Sequence, residues 1–407
     1  MRRKPLALAI VADDLTGALD TAAPFASHGF DTWLSLPPDL VSLGIDADAE
    51  VVTLTTESRH LPADQAANRV GAALHALAAL QPKIVFKKID SILRGNIGAE
   101  VVAALKTTGR RHAIIAPAVP SQNRTMSGGT VYVSGVRLPA SVDDGEAVET
   151  PMSAHLPDLL QPAGCLQLHL VSAGRLPTLG VEPGLHAYVV DAASETDLDT
   201  LAQFVVHRSS EILAVGAMGL GRALARALGQ HAPPQKLLVG SGVLLFVIGS
   251  RREASAAQIE ALLAAGAGHV EIPVGREPDI DLLLDHLGPQ PETSLVVVRP
   301  ELATIHGISA QIVADRLGRA AAAIVQRIEV SALVMAGGDT AAACLDCLRA
   351  KCLHVLGELH DGIAFGTFLT DTSTMSFFAK SGSFGRPDTW TRLAALLRTE
   401  ATVGRQP

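Results

Sequence analysis

Aromatic residues are scarce in this 407-residue chain, which has two Trp, two Tyr and ten Phe, 3% in all. That leaves little material for a stacking platform of the kind that holds single-stranded nucleic acid. Positive charge is also in deficit: 33 Lys and Arg face 41 Asp and Glu, a net charge of -8. A generic polyanion binder is therefore not expected, and an anionic ligand must be met by a few placed cations. Four cysteines in so long a chain do not make a disulfide framework. No apolar run approaches the ~18 residues of a membrane span. The run at residues 6–12, behind Met1-Arg2-Arg3-Lys4, imitates a signal peptide but stops at Asp13-Asp14 without a small-residue cleavage site. It reads as a buried strand after a basic tail. These absences set the expectation of a cytoplasmic protein that binds neither membrane nor nucleic acid.

Familiar site signatures are missing too. There is no G-x-x-x-x-G-K-[ST] loop, no G-x-G-x-x-G after the first strand and no G-x-S-x-G elbow. Residues 216–221 spell G-x-x-G-x-G, the wrong arrangement for a dinucleotide fingerprint. Cys344, Cys347, Cys352 and His354 are all zinc-ligand types. Two of the cysteines, however, fall inside an Ala-rich helical pattern where Cys is a common core residue, and no metal site is assigned.

What is present is a repeated alternation of short apolar runs and Ala/Leu-rich helical stretches. Residues 6–12, 51–56, 84–88 and 113–116 read as buried strands, with helices over 16–27, 63–80 and 97–107. This predicts an α/β fold with mainly parallel sheets flanked by helices. The rhythm breaks near residues 128–163, where 130–138 alternates around Ser134-Gly135 and predicts a β-hairpin insertion. It resumes with strands near 166–171, 187–191 and 212–215. The Pro-Pro stretch at 230–235 marks a boundary. A second series follows, with strands at 244–248, 270–273, 295–298, 332–335 and 375–379. Two domains are expected, residues 1–232 and 238–407.

Ligands of open α/β sheets bind at strand carboxyl ends, and the polar motifs fall there. Asp13-Asp14 follows the first strand. One carboxylate can take a proton from a substrate hydroxyl while the other binds a second hydroxyl or caps the helix; alternatively both are only caps. Two adjacent acids are not expected to point the same way. Arg59, after the strand at 51–56, has the planar fork that suits a carboxylate, or it is a solvated turn residue. Lys88, Asp90, Ser91 and Arg94 form a dense loop after the next strand, fit either to clamp a polyhydroxy acid or to pair among themselves. In the second half, Gly337-Gly338-Asp339-Thr340 opens a helix whose N-terminal N–H groups suit a phosphate. Gly249-Ser250 and the loop at 380–385, with Gly382, lie at two further strand ends. Three glycine-bearing loops in one half point to an anion or nucleotide cleft.

Taken together, these segments resemble the four-carbon acid sugar kinase family. ADDLTGALDTA (12–22), TESR (56–59), KKIDSILRGNIGAE (87–100), APAVPSQNRTMSGGTVYVSGVRL (116–138), GGDT (337–340) and KSGSFG (380–385) are similar to its motifs and in its order. The resemblance implies an N-terminal substrate domain, a C-terminal ATP-binding domain, and ATP- and Mg²⁺-dependent phosphorylation of a terminal hydroxyl. D-threonate is the first expectation, with erythronate, L-threonate or a 3-oxo-tetronate as its neighbours. It implies that Asp13, Asp14, Arg59, Lys88, Asp90, Ser91 and Arg94 line the acid-sugar pocket, with Arg59, Arg94 or both on the carboxylate. Ser250, Gly337, Gly338, Asp339, Thr340 and Gly382 would hold the nucleotide, and a homodimer is the family-level expectation. Closure about the linker should accompany turnover. Three departures stand out: Gly249-Ser250-Arg251-Arg252 for the usual G-S-x-S, Gly216–Gly221 for G-S-A-G-L-A, and residues 141–148 for a T-x-F-A-R-D-like stretch. A nucleotide-dependent oxidoreductase would share the glycine loops but lacks the fingerprint. A two-domain sugar-acid-binding protein would share the cleft, but no export signal is read here.

Overall fold

A computed structural model of the chain describes residues 6–36, 48–138, 151–229, 239–240, 242–277, 279, 294–302, 305, 307–370, 373–382 and 385–403. The expected boundary at 230–235, the domain limits at 232 and 238, the stretch at 141–148 and Ser383-Phe384 lie outside the described residues. The chain divides into two compact units, Met1–Pro233 and Pro234–Pro407. No helix among the described residues is long and apolar enough to cross a membrane.

The first unit runs β1 (Leu8–Ala12), α1 (Leu15–Ser27), β2 (Thr32–Ser35), β3 (Val51–Thr55), α2 (Ala63–Ala78), β4 (Ile84–Lys88), α3 (Ile97–Thr108) and β5 (His112–Ala116). Then come β6 (Arg124–Ser127), β7 (Thr130–Val133), β8 (Val136–Arg137), α4 (Leu156–Leu160), β9 (Leu166–Val171), β10 (Leu185–Val190), α5 (Glu195–His207), β11 (Ile212–Gly216) and α6 (Met218–Leu228). Its main sheet has the order β2-β3-β1-β4-β11-β5-β10-β9, every neighbouring pair parallel. β1, β3, β4, β5 and β11 are buried along their whole length, because helices cover both faces. On one face Ala9, Val11, Val52 and Val85 pack with Val70, Leu74 and Val101 of α2 and α3. On the other, Leu8, Ile10 and Phe86 pack with Phe25, Leu198 and Leu220 of α1, α5 and α6. Each such side chain contributes roughly 1.5–3 kcal/mol on burial.

The expected hairpin is present as β7–β8, with Ser134 (φ 51°) and Gly135 (φ 79°) both left-handed at its turn, the geometry whose twist matches the strands. β6 joins it to make a three-stranded antiparallel sheet, one strand more than the alternation predicted. The glycines at 216 and 219 prove to be packing residues. A Cβ on Gly216 would lie 2.6 Å from the Ala116 carbonyl oxygen, and one on Gly219 would lie 2.2 Å from that of Ala118. The serine of the usual pattern is Ala217 here, at the N-cap of α6 without a side-chain cap.

The second unit runs β12 (Val243–Ile248), α7 (Glu253–Ala264), β13 (Gly268–Ile272), β14 (Leu295–Pro300), α8 (Ala310–Arg327), β15 (Val330–Ala336), α9 (Gly338–Cys347), β16 (Cys352–Leu359), β17 (Ile363–Leu369), β18 (Thr374–Lys380) and α10 (Thr389–Val403). Its strands follow the order β13-β14-β12-β15-β18-β17-β16. The first five are parallel, while β16 and β17 pair antiparallel. These two strands escape a search for apolar runs because β16 alternates buried and half-buried residues and both carry glycine.

Candidate active site

In the first unit β1 lies between β3 and β4, and the chain runs from β1 to β2 and β3 on one side before crossing to β4 on the other. Such a switch point opens a crevice at the carboxyl ends of the strands. Asp13 follows β1, Arg59 follows β3, and Lys88 and Asp90 follow through from β4.

Asp13 and Asp14 do converge, contrary to the expectation from their adjacency, because one guanidinium spans both. Arg59 donates from Nε to Asp13 Oδ2 at 2.7 Å, from Nη1 to Asp14 Oδ2 at 3.0 Å and from Nη2 to Asp14 Oδ1 at 2.7 Å. Asp14 is also the N-cap of α1, accepting from the Gly17 N–H at 3.1 Å and from Thr16 Oγ1 at 2.7 Å. Both of its oxygens are thus occupied. Asp13 is different: it is 2% exposed, and its Oδ1 has no hydrogen-bond partner among the described residues. A buried carboxylate oxygen left in that state is costly and can accept from a ligand hydroxyl.

Arg94 is paired to Asp90 through Nε (2.9 Å) and Nη2 (3.0 Å). Asp90 also receives the Arg94 backbone N–H at 3.2 Å. Of the two readings of this loop, the internal ion pair is the one formed, leaving Nη1 of Arg94 outside it. Lys88 is 5% exposed. Its Nζ donates to the Ile89 carbonyl at 2.9 Å, and no carboxylate among the described residues pairs with it directly. It lies against the first turn of α1, where a Cβ on Gly17 would sit 2.8 Å from Nζ. Ser91 Oγ accepts from Nη1 of Arg124, which arrives on β6.

The electrostatics follow from this packing. Burial raises the Asp13 carboxyl, but Arg59, then Lys87 and Lys88, outweigh it and hold it below the ordinary value of 3.8. Burial also opposes ionisation of Asp90, and Arg94 and Arg59 overcome it, keeping Asp90 well below 3.8. Burial disfavours the charge on Arg59, yet Asp13, Asp14 and Asp90 push its pKa well above the ordinary guanidinium value. Three loop residues here, Glu57 (φ 43°), Leu93 (φ 63°) and Asn123 (φ 55°), are left-handed without being glycine. Such conformations persist only where surrounding contacts enforce them, and they cluster at functional sites.

The second unit repeats the switch point around β12, which lies between β14 and β15. Ser250 follows β12, Gly337–Thr340 follow β15, and Gly382 follows β18. A Cβ on Gly249 would be 2.1 Å from Thr340 Oγ1, and one on Gly382 would be 2.2 Å from Ser250 Oγ. The three loops therefore meet. Gly337 precedes α9 with φ 103° and without a side-chain cap, so the first N–H groups of that helix, at Gly338, Asp339 and Thr340, have no capping side chain. Ser255 Oγ closes the cluster by donating to the Gly382 carbonyl at 2.8 Å. Backbone donors and two hydroxyls around a helix N-terminus fit a phosphate.

Two family models match the chain: a sugar-binding N-terminal domain over residues 8–224 and a nucleotide-binding C-terminal domain over residues 245–390. A D-threonate kinase of Bordetella bronchiseptica is 32% identical, the match covering 96% of this chain and 97% of that protein. The chain belongs to the four-carbon acid sugar kinase family. A D-erythronate kinase of Heliobacterium modesticaldum is 30% identical over 93% of this chain and 94% of its own length. A 3-oxo-tetronate kinase of Methylobacterium radiotolerans is also 30% identical, over 94% and 97%. The crystal structure of a Haemophilus influenzae protein superposes with a TM-score of 0.72 at 20% identity, covering 96% of this chain and all of that one, a likeness of fold.

In this kinase family member, the Asp13, Arg59 and Lys88–Arg94 loops thus belong to the sugar-binding domain, and the Ser250, Gly337–Thr340 and Gly382 loops to the nucleotide-binding domain, which implies ATP use. Sequence reasoning overlooked Arg124, Lys87, Glu100 and Ser58. All four stand inside the motifs that carry the resemblance, so the signal available was their position there. Lys87 gave no signal of its own, because its partner Glu100 sits on the next helix.

Proposed function

We propose that this kinase phosphorylates the terminal hydroxyl of a four-carbon acid sugar, D-threonate first, with Asp13 as the group that orients the hydroxyl and takes its proton. The observation that carries the assignment is the buried, unpartnered Asp13 Oδ1 beside an Asp14 whose oxygens are both engaged. A carboxylate held at low pKa is a weak base. Phosphoryl transfer passes through a loose transition state that asks for positioning more than for base strength.

Arg59 is neutralised by Asp13 and Asp14, so its role is to fix those carboxylates. Lys88, buried with no directly paired carboxylate among the described residues, takes the acid-sugar carboxylate, aided by the Nη1 edge of Arg94. Asp90 and Ser91 hold the two guanidiniums, Arg94 and Arg124, in place. ATP supplies the phosphoryl group. The N–H groups of Gly338–Thr340, with the Ser250 and Thr340 hydroxyls, hold its phosphates, and Gly337 and Gly382 give them room. Mg²⁺ is bound mostly by phosphate oxygens and one or two carboxylates in such sites; Asp339, in the first turn of α9, is the residue of this chain suited to share it. The proposal includes a cytoplasmic homodimer, a family-level expectation whose mass light scattering of the purified chain would measure.

The test supplies ATP, Mg²⁺ and a panel of tetronates, following ADP release and locating the new phosphate by phosphorus NMR. D-threonate is expected to turn over fastest, with phosphate on its terminal oxygen. Folded protein that turns over no four-carbon acid would defeat the proposal.

A further inference from the structure

Behind the Asp13 loop lies a run of buried polar groups that the proposed chemistry does not use. Neighbouring residues of a strand face opposite sides of the sheet: Lys88 reaches the α1 face, and Lys87 the α3 face. Lys87 is fully buried, and its Nζ meets Glu100 Oε2 of α3 at 2.8 Å and the Lys88 carbonyl at 2.7 Å. Glu100 Oε1 accepts from Ser58 Oγ at 2.6 Å. Ser58 Oγ lies 2.7 Å from Thr56 Oγ1, which donates to the Ala12 carbonyl at 3.0 Å. The Ser58 N–H in turn donates to the Asp13 carbonyl at 3.0 Å. The run starts in the centre of the sheet and ends on the two carbonyls that bracket the Asp13 backbone, passing through the residue next to Arg59.

An ion pair in such surroundings is not an economical core. Replacing a buried pair by apolar residues of similar volume is often neutral or stabilising, because desolvation offsets the Coulombic gain. The presence of this one therefore calls for another role. We propose that Lys87, Glu100 and Ser58 are positioning residues of the active site, which lock the Thr56–Arg59 segment against β1 and so aim the carboxylate of Asp13. The inference rests on the reading of Asp13 given above. The charged groups around Asp13 are Arg59, with its other partners Asp14 and Asp90, and Lys87 and Lys88 from β4. Lys87 is among those that lower the Asp13 pKa.

The decisive variant is Lys87→Met with Glu100→Leu, which removes the pair without stranding either charge. Its melting temperature should stay near that of the parent, while kcat on the best tetronate falls at least tenfold and KM for ATP is unchanged. The acid limb of the kcat profile should move to higher pH, since Lys87 lowers the Asp13 carboxyl and Glu100, lost with it, is not among the groups that raise it. A folded double variant with parental kcat and an unmoved acid limb overturns the proposal. Ser58→Ala serves if the double variant does not fold: it cuts the run between Glu100 and Thr56 without changing charge. Its kcat should drop several-fold with the acid limb in place, and parental kcat in folded Ser58→Ala overturns the inference equally. Titration of the Asp13 carboxyl by carbon-13 NMR, which needs no turnover, separates failure of this inference from failure of the kinase reading. An upward shift in the double variant is expected even with no substrate identified, and an unshifted titration counts against the inference.

Discussion

The two units share one plan and carry opposite kinds of site. Each places a switch point at the carboxyl ends of parallel strands, around β1 in the first and β12 in the second. The proposed site of the first is built on side chains: Asp13, Asp14, Arg59, Asp90 and Arg94 form a network of paired charges beside the buried Lys88. The proposed site of the second is built on backbone, with Gly249 and Gly382 admitting Thr340 and Ser250 at distances that a Cβ would forbid, and Gly337 turning at φ 103°. Under the proposed function, the contrast follows from what each ligand offers. An acid sugar presents a carboxylate and hydroxyls at fixed stereochemistry, which need donors and acceptors placed one by one. A polyphosphate presents diffuse charge, which uncapped N–H groups at a helix start already complement.

The comparison breaks most visibly at Asp13. Asp13→Asn should lower kcat by about 10²–10⁴-fold, the range for a lost acid–base group, with KM for ATP nearly unchanged in steady-state assays. Asp14→Asn should cost far less, and equal effects at the two positions would end the division of labour between them. Next in size, Lys88→Met should reduce kcat/KM on the tetronate by roughly 10- to 100-fold, as for a lost hydrogen bond to a charged group. Any turnover of an uncharged four-carbon polyol should be unaffected; equal losses on both substrates would place Lys88 elsewhere than on the carboxylate.

On the other side of the comparison, Gly382→Ala should raise KM for ATP by about tenfold, equivalent to about 1.4 kcal/mol, while KM for the tetronate stays put. A matching rise for both substrates would show that the two sites are not separable. The smallest effects are on stability. Asp14→Ala removes a helix cap worth about 1 kcal/mol together with both hydrogen bonds to the Arg59 fork, so its cost in denaturant unfolding should exceed that of the cap alone. Asp90 has a native pKa below its ordinary 3.8, so its stabilisation is in force above 3.8 and is lost as pH falls through the native value. Acid unfolding of Asp90→Asn should accordingly show a shallower dependence on pH below 3.8 than that of the parent, and identical profiles would argue against the depressed value.

Much of this was legible in advance where the signal is local. Apolar runs such as 84–88 mark strands buried on both faces, and the strand-end loops at Asp13, Arg59, Lys88 and Gly337 follow once those strands are placed. β16 and β17 were not legible, since β16 alternates buried and half-buried residues and both strands carry glycine. The partners of the charges were not legible either. Arg59 reads as a clamp for a substrate carboxylate, whereas it is held by residues about 45 positions away. Arg124 arrives from a small separate sheet to meet Ser91.

The sequence by itself determined the class of fold, the two-part organisation and the family, because periodicity and motif order survive without knowledge of contacts. Only the tertiary structure decided which carboxylate is left with an unpartnered oxygen. Asp13 and Asp14 are adjacent and chemically identical. What separates them is that α1 begins on Asp14, while Arg59 arrives from β3 to bond both oxygens of Asp14 and only one of the buried Asp13.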